Sequence, residues 1–201
     1  DLAFIYTLGS HYVPNLLQNF LSIHENQKIK FSLKQGNTTE IIQGLKNERY
    51  DVAFCSYADQ HPDINFLPIA QEDVVLIVSK SHPLALYDDI DISQLKNEPF
   101  VYYDSESGIR PLLDSLFKEK QIEPNIVCEV EEDSAVIGLV AINYGIALVP
   151  DIALIKQFPV KKLKIKNPTH KRYIYLATMK NRYMTPAVHK FCDYIIHHTT
   201  I

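Results

Sequence analysis

The sequence is poor in glycine and lacks the motifs that build many catalytic sites. Its 201 residues include six glycines, and neither a P-loop nor a G-x-G-x-x-G pattern occurs. No G-x-S-x-G elbow marks a serine nucleophile, and no HExxH, CxxC or H-x-x-x-H spacing could hold a metal. We therefore expect a protein that is not an enzyme and that carries neither a cofactor nor a metal.

Long apolar runs and a basic face are also missing. No apolar stretch reaches the roughly 18 residues that a membrane-spanning helix needs, and the N-terminus lacks the features of a signal peptide. The net charge is −4, with only four arginines. Since domains that hold DNA or RNA carry a basic surface, we do not expect these residues to bind nucleic acid directly.

Cysteine is scarce, and its placement indicates a reducing environment. Cys55, Cys128 and Cys192 are odd in number, far apart and each within an apolar stretch. This pattern predicts buried free thiols rather than disulfides, and hence a cytoplasmic protein.

Strands and helices alternate along the chain. Apolar residues recur at helical spacing after Val13, and strict two-residue alternation marks several strands. Such alternation predicts an α/β protein with mostly parallel sheets, two sheets fitting the number of strands best. The predicted strands cover 2–6, 29–33, 51–55, 74–78, 100–103, 126–130, 146–149, 162–166 and 173–177, with helices after Val13, Asn37, Gly108, Ala135 and Thr185.

Local signals refine the ends of these elements. Asn37 and Glu40 have the spacing of a capping box, and Thr185-Pro186 is typical of a helix start. Gly145 suits a left-handed cap after the helix that ends near Ala141. The basic stretch from Lys161 to Arg172 is typical of a strand edge guarded by lysine.

Ligands of open α/β sheets bind beyond the carboxyl ends of the strands, which directs attention to four loops. Ser105, Ser107 and Gly108 precede a helix, where hydroxyls and free N–H groups could cradle an anion or one serine could simply cap the helix. Thr7 and Ser10 present the same two alternatives at the first strand–helix junction.

An acidic run precedes the predicted helix at Ala135. Glu132 and Asp133 are its last members. The run could be a solvated helix start capped by Asp133 or Ser134, or it could select a cationic or amino-bearing ligand. If the protein were an enzyme such as a dehydratase, the same two acids would be the candidate general acids.

The order of several short motifs resembles one known family over essentially the whole chain. The chain resembles the effector-binding, or co-inducer, domain of LysR-type transcriptional regulators. The motifs are Thr7 with Val13-Pro14-Asn15-Leu16-Leu17, Tyr50–Phe54, Leu67-Pro68-Ile69, His82-Pro83-Leu84-Ala85, Gly108-Ile109-Arg110 and Tyr144–Pro150.

The resemblance implies a fold like the type 2 periplasmic binding proteins. Two Rossmann-like lobes would be joined by two crossover strands, with an effector cleft between them. Lobe I would comprise residues 1–72 and 162–201, and lobe II residues 73–161. A winged helix-turn-helix DNA-binding domain would precede residue 1, and an initiator methionine is absent from the start.

The resemblance also implies the effector contacts and the partners. The family would form a homodimer through this domain, with the helix after Val13 packing on the partner's helix after Pro186, and a tetramer when full length. DNA would be bound only through the preceding domain. The implied effector contacts are Thr7, Leu8, Ser10, Ser56, Tyr57, Ser105, Ser107, Gly108, Ile109, Glu132, Asp133 and Pro150.

One departure from the family pattern narrows the class of effector that we expect. Ile5 and Leu8 stand where family members often carry small polar residues, so a strongly anionic effector such as sulfate would lose side-chain donors. We expect a small carboxylate or an amino acid. The alternative function is an extracytoplasmic solute-binding protein of a transporter, which shares the fold.

Overall fold

The structure is a computed structural model that describes residues 1–166 and 171–198. The chain divides into two compact units, Asp1–Gln71 with Tyr173–Ile201, and Glu72–Arg172. The elements are β1 (Leu2–Ile5), α1 (Tyr12–Ser22), β2 (Leu33–Gly36), α2 (Thr38–Lys46), β3 (Val52–Cys55), β4 (Ile64–Ser79), β5 (Asp89–Asp91), β6 (Pro99–Tyr103), α3 (Arg110–Glu119), β7 (Asn125–Val130), α4 (Asp133–Ala141), β8 (Ala147–Pro150), β9 (Val160–Lys166), β10 (Lys171–Met179) and α5 (Pro186–His198).

The first unit is built on the strand order β2-β1-β3-β10. β1 is parallel to β2 and β3, and β10 is antiparallel to β3. All four residues of β1 and of β3 are buried, as expected for short apolar strands covered on both faces. The strand predicted from residue 29 begins only at Leu33, so the alternation of Ile29 and Phe31 was misleading. Both side chains pack against the core of this unit from a loop.

Aromatic packing and helix caps stabilise the helices of the first unit. The Phe20 ring of α1 meets the Phe191 ring of α5 edge to face, with centroids 5.0 Å apart. The capping box predicted at α2 is confirmed, since Asn37 Oδ1 accepts from the Glu40 N–H at 2.9 Å and Glu40 Oε2 accepts from the Asn37 N–H. The Thr185 hydroxyl accepts from the Val188 N–H at the start of α5, as predicted.

The second unit has its own core and a mixed strand pairing. β4 is antiparallel to β8 and β9, and β9 is parallel to β5. β6 and β7 are parallel, and Phe100 forms a parallel bridge to Ile146, the residue before β8. The expectation of mostly parallel sheets is wrong for the pairs that involve β4 and β10. The expectation assumes consecutive strands joined by one crossover helix, and the strands of these pairs are not consecutive in the chain.

The lysine-rich strand β9 is not a sheet edge. It lies between β4 and β5 and pairs with both. Its lysines are held by acids instead: Lys161 by Asp88 at 2.7 Å and Lys162 by Asp151 at 2.8 Å. Leu163 points into the core. The prediction of a lysine-guarded edge is therefore wrong for the part of this stretch that the structure describes, and residues 167–170 lie outside it.

The turn after α4 uses asparagine where the sequence predicted glycine. Asn143 has φ 62°, in the left-handed region, and no described glycine has a positive φ. Asparagine tolerates this conformation because its short polar side chain bonds locally. Gly145 is needed for a different reason, since a Cβ there would lie 2.7 Å from the Pro99 carbonyl oxygen.

Three further observations bear on the predictions. The three cysteines are free, and Cys128 is only half-buried, where burial was expected. The second unit extends to Arg172, so β9 lies within it, whereas the resemblance implied a return to lobe I at Lys162. Among the described residues, no helix is long and apolar enough to cross a membrane.

Candidate functional site

The loops of the second unit that were singled out from the sequence meet at one edge of its strands. Parallel strands bring their carboxyl ends to the same edge, and Tyr103 at the end of β6 lies opposite Val130 at the end of β7. The Asp104 N–H donates to the Val130 carbonyl at 3.1 Å, which ties the two following loops together. The parallel bridge to β8 brings Pro150 to this edge as well.

β4 adds a fourth segment to the same edge. It runs antiparallel to β8, with Val74 opposite Pro150, and the Asp151 N–H donates to the Asp73 carbonyl at 2.8 Å. The residues just before Val74, including Glu72, therefore lie where β6, β7 and β8 end. This is the position at which open α/β sheets bind ligands.

The loop from Asp104 to Ile109 leaves several backbone N–H groups without an acceptor among the described residues at the start of α3. Asp104 Oδ1 accepts from the N–H groups of Glu106 at 3.0 Å and Ser107 at 2.9 Å, which folds the loop back on itself. The N–H groups of Ser105, Gly108 and Ile109 donate to no acceptor in the part of the chain that the structure describes.

The serines of this loop do not cap α3. The residue before the helix is Ile109, and no side chain caps the helix start. Of the two alternatives left open by the sequence, capping is thus excluded for both serines. Free N–H groups at a helix start attract anions, because the helix dipole adds to their own partial charge. The loop can receive a carboxylate.

Arg110 of the G-x-R motif braces this loop rather than facing a ligand. Its Nη1 donates to the Tyr103 carbonyl at 2.7 Å and to Glu129 at 2.6 Å, and its Nε donates to Asp114 at 3.0 Å. The guanidinium also lies over the Tyr102 ring, 4.7 Å from its centroid. With these partners Arg110 fixes the strand end from which the loop departs.

Asp133 lies in the first turn of α4, but it does not cap that helix. Glu132 is the capping position, without a side-chain bond, so the predicted caps by Asp133 and Ser134 are wrong. Ser134 instead donates its hydroxyl to exposed Glu132 at 3.2 Å. Asp133 is 6% exposed and accepts a short hydrogen bond from the Tyr103 hydroxyl. Its carboxylate is therefore drawn inward, away from the helix end.

Two more charged residues complete a buried polar cluster, which we define as Glu72, Tyr103, Asp133 and Arg172. Arg172 Nη1 lies 3.4 Å from Glu72 Oε2, and the Arg172 side chain is only 7% exposed. Asp133 and Arg172 both act electrostatically on Tyr103, and Asp133 also acts on Glu72. Two acids with one cation leave the cluster with a formal charge of −1.

Burial governs the protonation of two members of the buried polar cluster. It raises the pKa of the Glu72 carboxyl above its ordinary value, a shift that Arg172 opposes and Asp133 reinforces. It also raises the pKa of Tyr103 well above its ordinary range, with Asp133 adding to the shift. The Tyr103 hydroxyl therefore stays protonated and donates to Asp133.

The residues predicted in the first unit have varied surroundings. Thr7 is half-buried, Ser10 is exposed, and Leu8 is 2% exposed within the core. Ser56 is buried, and its hydroxyl has no hydrogen-bond partner among the described residues, although its N–H donates to Thr38 Oγ1 at 3.3 Å. Tyr57 is 58% exposed. These five stay predicted effector contacts.

Sequence reasoning missed Glu72, Tyr103 and Arg172. Each lies inside or beside an apolar strand, where a single polar residue gives no local signal. Their shared location depends on strand pairing between segments up to 100 positions apart. Of the residues that were predicted, the structure brings Ser105, Ser107, Gly108, Ile109, Glu132, Asp133 and Pro150 to one edge of the second unit.

Comparison with known proteins gives one family and several relatives. The model of the LysR substrate binding domain matches residues 1–200. A Bacillus subtilis (strain 168) protein described as uncharacterized HTH-type transcriptional regulator YybE is 30% identical over 198 residues, 98% of this chain and 67% of that protein. The transcriptional activator CmpR of Synechocystis sp. (PCC 6803) is 27% identical over 195 residues, 96% of this chain and 64% of that protein.

Two similar solved structures are effector-binding or regulatory domains with ligands. The effector binding domain of QuiR in complex with shikimate is 46% identical, has a TM-score of 0.97, and is matched over 99% of this chain and 95% of that one. The Synechocystis PCC6803 CcmR regulatory domain in complex with 2-PG is 26% identical, with a TM-score of 0.87 and coverage of 98% and 95%.

The fold of this chain is thus that of the LysR effector-binding domains, which is like that of the periplasmic binding proteins. The chain spans about two thirds of the length of the curated relatives that it matches. Those relatives are transcriptional regulators rather than enzymes, and nothing supports the transporter alternative.

Proposed function

This chain belongs to the LysR substrate binding domain family, and we propose that it senses a small carboxylate for a transcriptional regulator. The carboxylate is held by the loop at the start of α3. The observation that carries this assignment is the set of unused N–H groups of Ser105, Gly108 and Ile109, at the edge where β6, β7 and β8 end.

Similarity supports the choice of ligand class. The QuiR domain, 46% identical to this chain, is known in complex with shikimate, which is a carboxylate on a ring that bears hydroxyl groups. We propose shikimate as the first effector to test. The predicted first-unit contacts Thr7, Leu8, Ser10, Ser56 and Tyr57 belong to this proposal, and the buried Ser56 hydroxyl without a partner is the best supported of them.

The regulatory role follows from the family as a further part of the proposal. Effector binding controls transcription only if the effector favours one state of the regulator over another. With a net charge of −4, this domain leaves DNA contact to a helix-turn-helix segment outside these residues, as in the HTH-type relatives. Such a regulator works in the cytoplasm.

Dimer formation through this domain, and a tetramer of the whole protein, remain predictions. The helices α1 and α5, which the resemblance assigned to the dimer, contact each other within one chain through Phe20 and Phe191. Ile196 of α5 keeps 49% of its surface exposed and is available to a second copy.

The carboxylate-binding loop is tested by Ser107→Ala. Loss of one hydroxyl donor costs about 0.5–1.5 kcal/mol, so shikimate should bind about 2- to 10-fold more weakly in titration calorimetry. Ser115→Ala is the matched control, because the Ser115 hydroxyl bonds to the Leu112 carbonyl within α3. Equal affinity of the Ser107→Ala variant and the unchanged protein would exclude a contact between the Ser107 hydroxyl and the effector. A bound shikimate whose carboxylate lies away from the N–H groups of Ser105, Gly108 and Ile109 would contradict the assignment of this loop.

A further inference from the structure

Arg110 joins the two ends of the carboxylate-binding loop, which runs from Asp104 to Ile109. Tyr103 is the residue before this loop, and Arg110 is the residue after it. Arg110 Nη1 donates to the Tyr103 carbonyl at 2.7 Å, so a side chain at one end of the loop is bonded to the backbone at the other end. This bond fixes the distance that the loop must close.

The loop is also held from within and by the neighbouring strand. The Asp104 N–H donates to the Val130 carbonyl at 3.1 Å, and the Ser107 N–H donates to Asp104 Oδ1 at 2.9 Å. The Arg110 N–H donates to the Ser107 carbonyl at 3.0 Å. The bond between the guanidinium and Tyr103 therefore closes a ring of contacts around the N–H groups that the proposed function assigns to the effector.

The charge of the Arg110 guanidinium is matched before any effector binds. Its Nε donates to Asp114 at 3.0 Å, and its Nη1 donates to Glu129 at 2.6 Å. The guanidinium lies over the Tyr102 ring, whose hydroxyl donates to Asp114 at 3.1 Å. The Arg110 side chain is only 19% exposed. A cation with two acids and an aromatic face around it is bound to these neighbours rather than to an incoming carboxylate.

A guanidinium is suited to this set of contacts by its shape. Its nitrogens lie in a rigid planar fork, so Nε reaches an acid of α3 while Nη1 reaches a carbonyl of β6. A lysine carries the same charge on one nitrogen at the end of a flexible stem, and it does not reproduce the fork. Substitutions of Arg110 can therefore separate the effect of charge from the effect of geometry.

Resting on the proposed function, we propose that Arg110 is a positioning residue for the effector. It holds the N–H groups of Ser105, Gly108 and Ile109 in the arrangement that receives the carboxylate, and it does not contact the effector itself. A loop that is ordered before binding gives tighter binding, because less conformational entropy is lost when the effector binds. The affinity for the effector then depends on contacts that Arg110 makes with β6, β7 and α3.

Titration calorimetry with shikimate compares Arg110→Gln and Arg110→Lys with the unchanged protein. We expect both variants to bind shikimate at least about tenfold more weakly, since neither side chain has the fork that joins the loop ends. Lys118→Gln removes one positive charge from an exposed position of the same helix, and as the matched control it should leave the affinity unchanged. Affinity that is kept in Arg110→Lys but lost in Arg110→Gln would show that charge attracts the carboxylate, and would overturn the inference.

Methyl shikimate separates a positioning role from a merely structural one. The ester keeps the ring and the hydroxyl groups but has no carboxylate charge for the N–H groups of the loop to hold. The ratio of shikimate affinity to methyl shikimate affinity should therefore fall in both Arg110 variants. An equal loss of affinity for the two ligands would mean that Arg110 only stabilises the fold, and would overturn the inference.

Hydrogen exchange in the ligand-free protein tests the order of the loop directly. The N–H groups of Glu106 and Ser107 donate to Asp104, so their exchange reports whether the loop keeps its fold. We expect exchange at least about fivefold faster in Arg110→Gln and unchanged exchange in Lys118→Gln. Unchanged exchange in Arg110→Gln would overturn the inference and leave the proposed function standing, whereas failure of shikimate to bind the unchanged protein would overturn the proposed function.

Discussion

Glu72 is the residue at which burial and ion pairing compete most directly. Its side chain lies 3.4 Å from Arg172, yet burial outweighs this attraction and raises the pKa of Glu72 above its ordinary value. A carboxyl whose pKa is higher in the folded than in the unfolded state favours folding below its unfolded pKa. That contribution is lost as the pH rises through the folded pKa.

The consequence is a pH-dependent effect of Glu72→Gln. Because glutamine does not titrate, the unfolding free energy of the variant, relative to the unchanged protein, should increase as the pH rises from about 4 towards 7. Urea denaturation at several pH values measures this difference. A relative stability that falls with pH would show that the pair with Arg172 dominates and that the account of the buried polar cluster is wrong.

Glu25 provides a control with the opposite sign. Lys190 bonds to this exposed carboxylate at 2.9 Å and lowers the pKa of Glu25. A lowered pKa stabilises the fold above the unfolded pKa, and this stability is lost as the pH falls through the folded pKa. The Glu25→Gln variant should therefore become less stable, relative to the unchanged protein, as the pH rises up to and through the ordinary pKa of 4.5.

At the scale of single elements, the turn between α4 and β8 requires the backbone of Gly145 to lie close to the backbone of β6. Gly145 lies against β6, where an added Cβ would be 2.7 Å from the Pro99 carbonyl oxygen and 3.3 Å from the Val101 nitrogen. Backbone atoms of a paired strand cannot move aside as the end of a flexible side chain can. This approach brings β8, and with it Pro150, alongside β6 at the candidate site.

We predict that Gly145→Ala destabilises the protein by about 1–3 kcal/mol, the usual cost of overpacking. Gly138→Ala is the matched control in the middle of α4, where the added Cβ would meet only Phe158 at 3.8 Å. That change should stabilise the protein by about 0.5–1 kcal/mol. Denaturant unfolding of both variants measures the difference, and a Gly145→Ala variant as stable as the unchanged protein would contradict this account.

Features that depend on residues close together in the chain could be predicted from the sequence. The capping box of Asn37 and Glu40 needs only residues three apart, and it is confirmed. The role of β9 could not be predicted this way, because the acids that pair with its lysines come from distant segments. The alternation of Lys with Leu163 and Ile165 is the same in an edge strand and in a strand with partners on both sides.

In the candidate site, likewise, one part could be predicted from neighbouring residues and another part could not. The loop around Ser107 and Gly108 was identifiable because it joins a strand to a helix in a recognisable order. The proximity of Glu72, Asp133 and Arg172 could not be predicted from the sequence, because it depends on how β4, α4 and β10 pack together. A polar residue beside an apolar strand looks alike in the sequence whether it faces solvent or a buried partner.

At the scale of the whole molecule, family membership and geometry support one account. The family match shows that this chain is an effector-binding domain of the LysR type. Within the second unit, a loop with free N–H groups and the buried polar cluster lie at one edge of the strands. We propose that the effector carboxylate binds at the N–H groups of this loop.

A crystal structure of this domain with shikimate tests that claim most directly. We predict that the shikimate carboxylate lies about 3 Å from the backbone nitrogens of the loop that includes Ser105, Gly108 and Ile109. A bound shikimate whose carboxylate lies away from these backbone nitrogens would contradict the account.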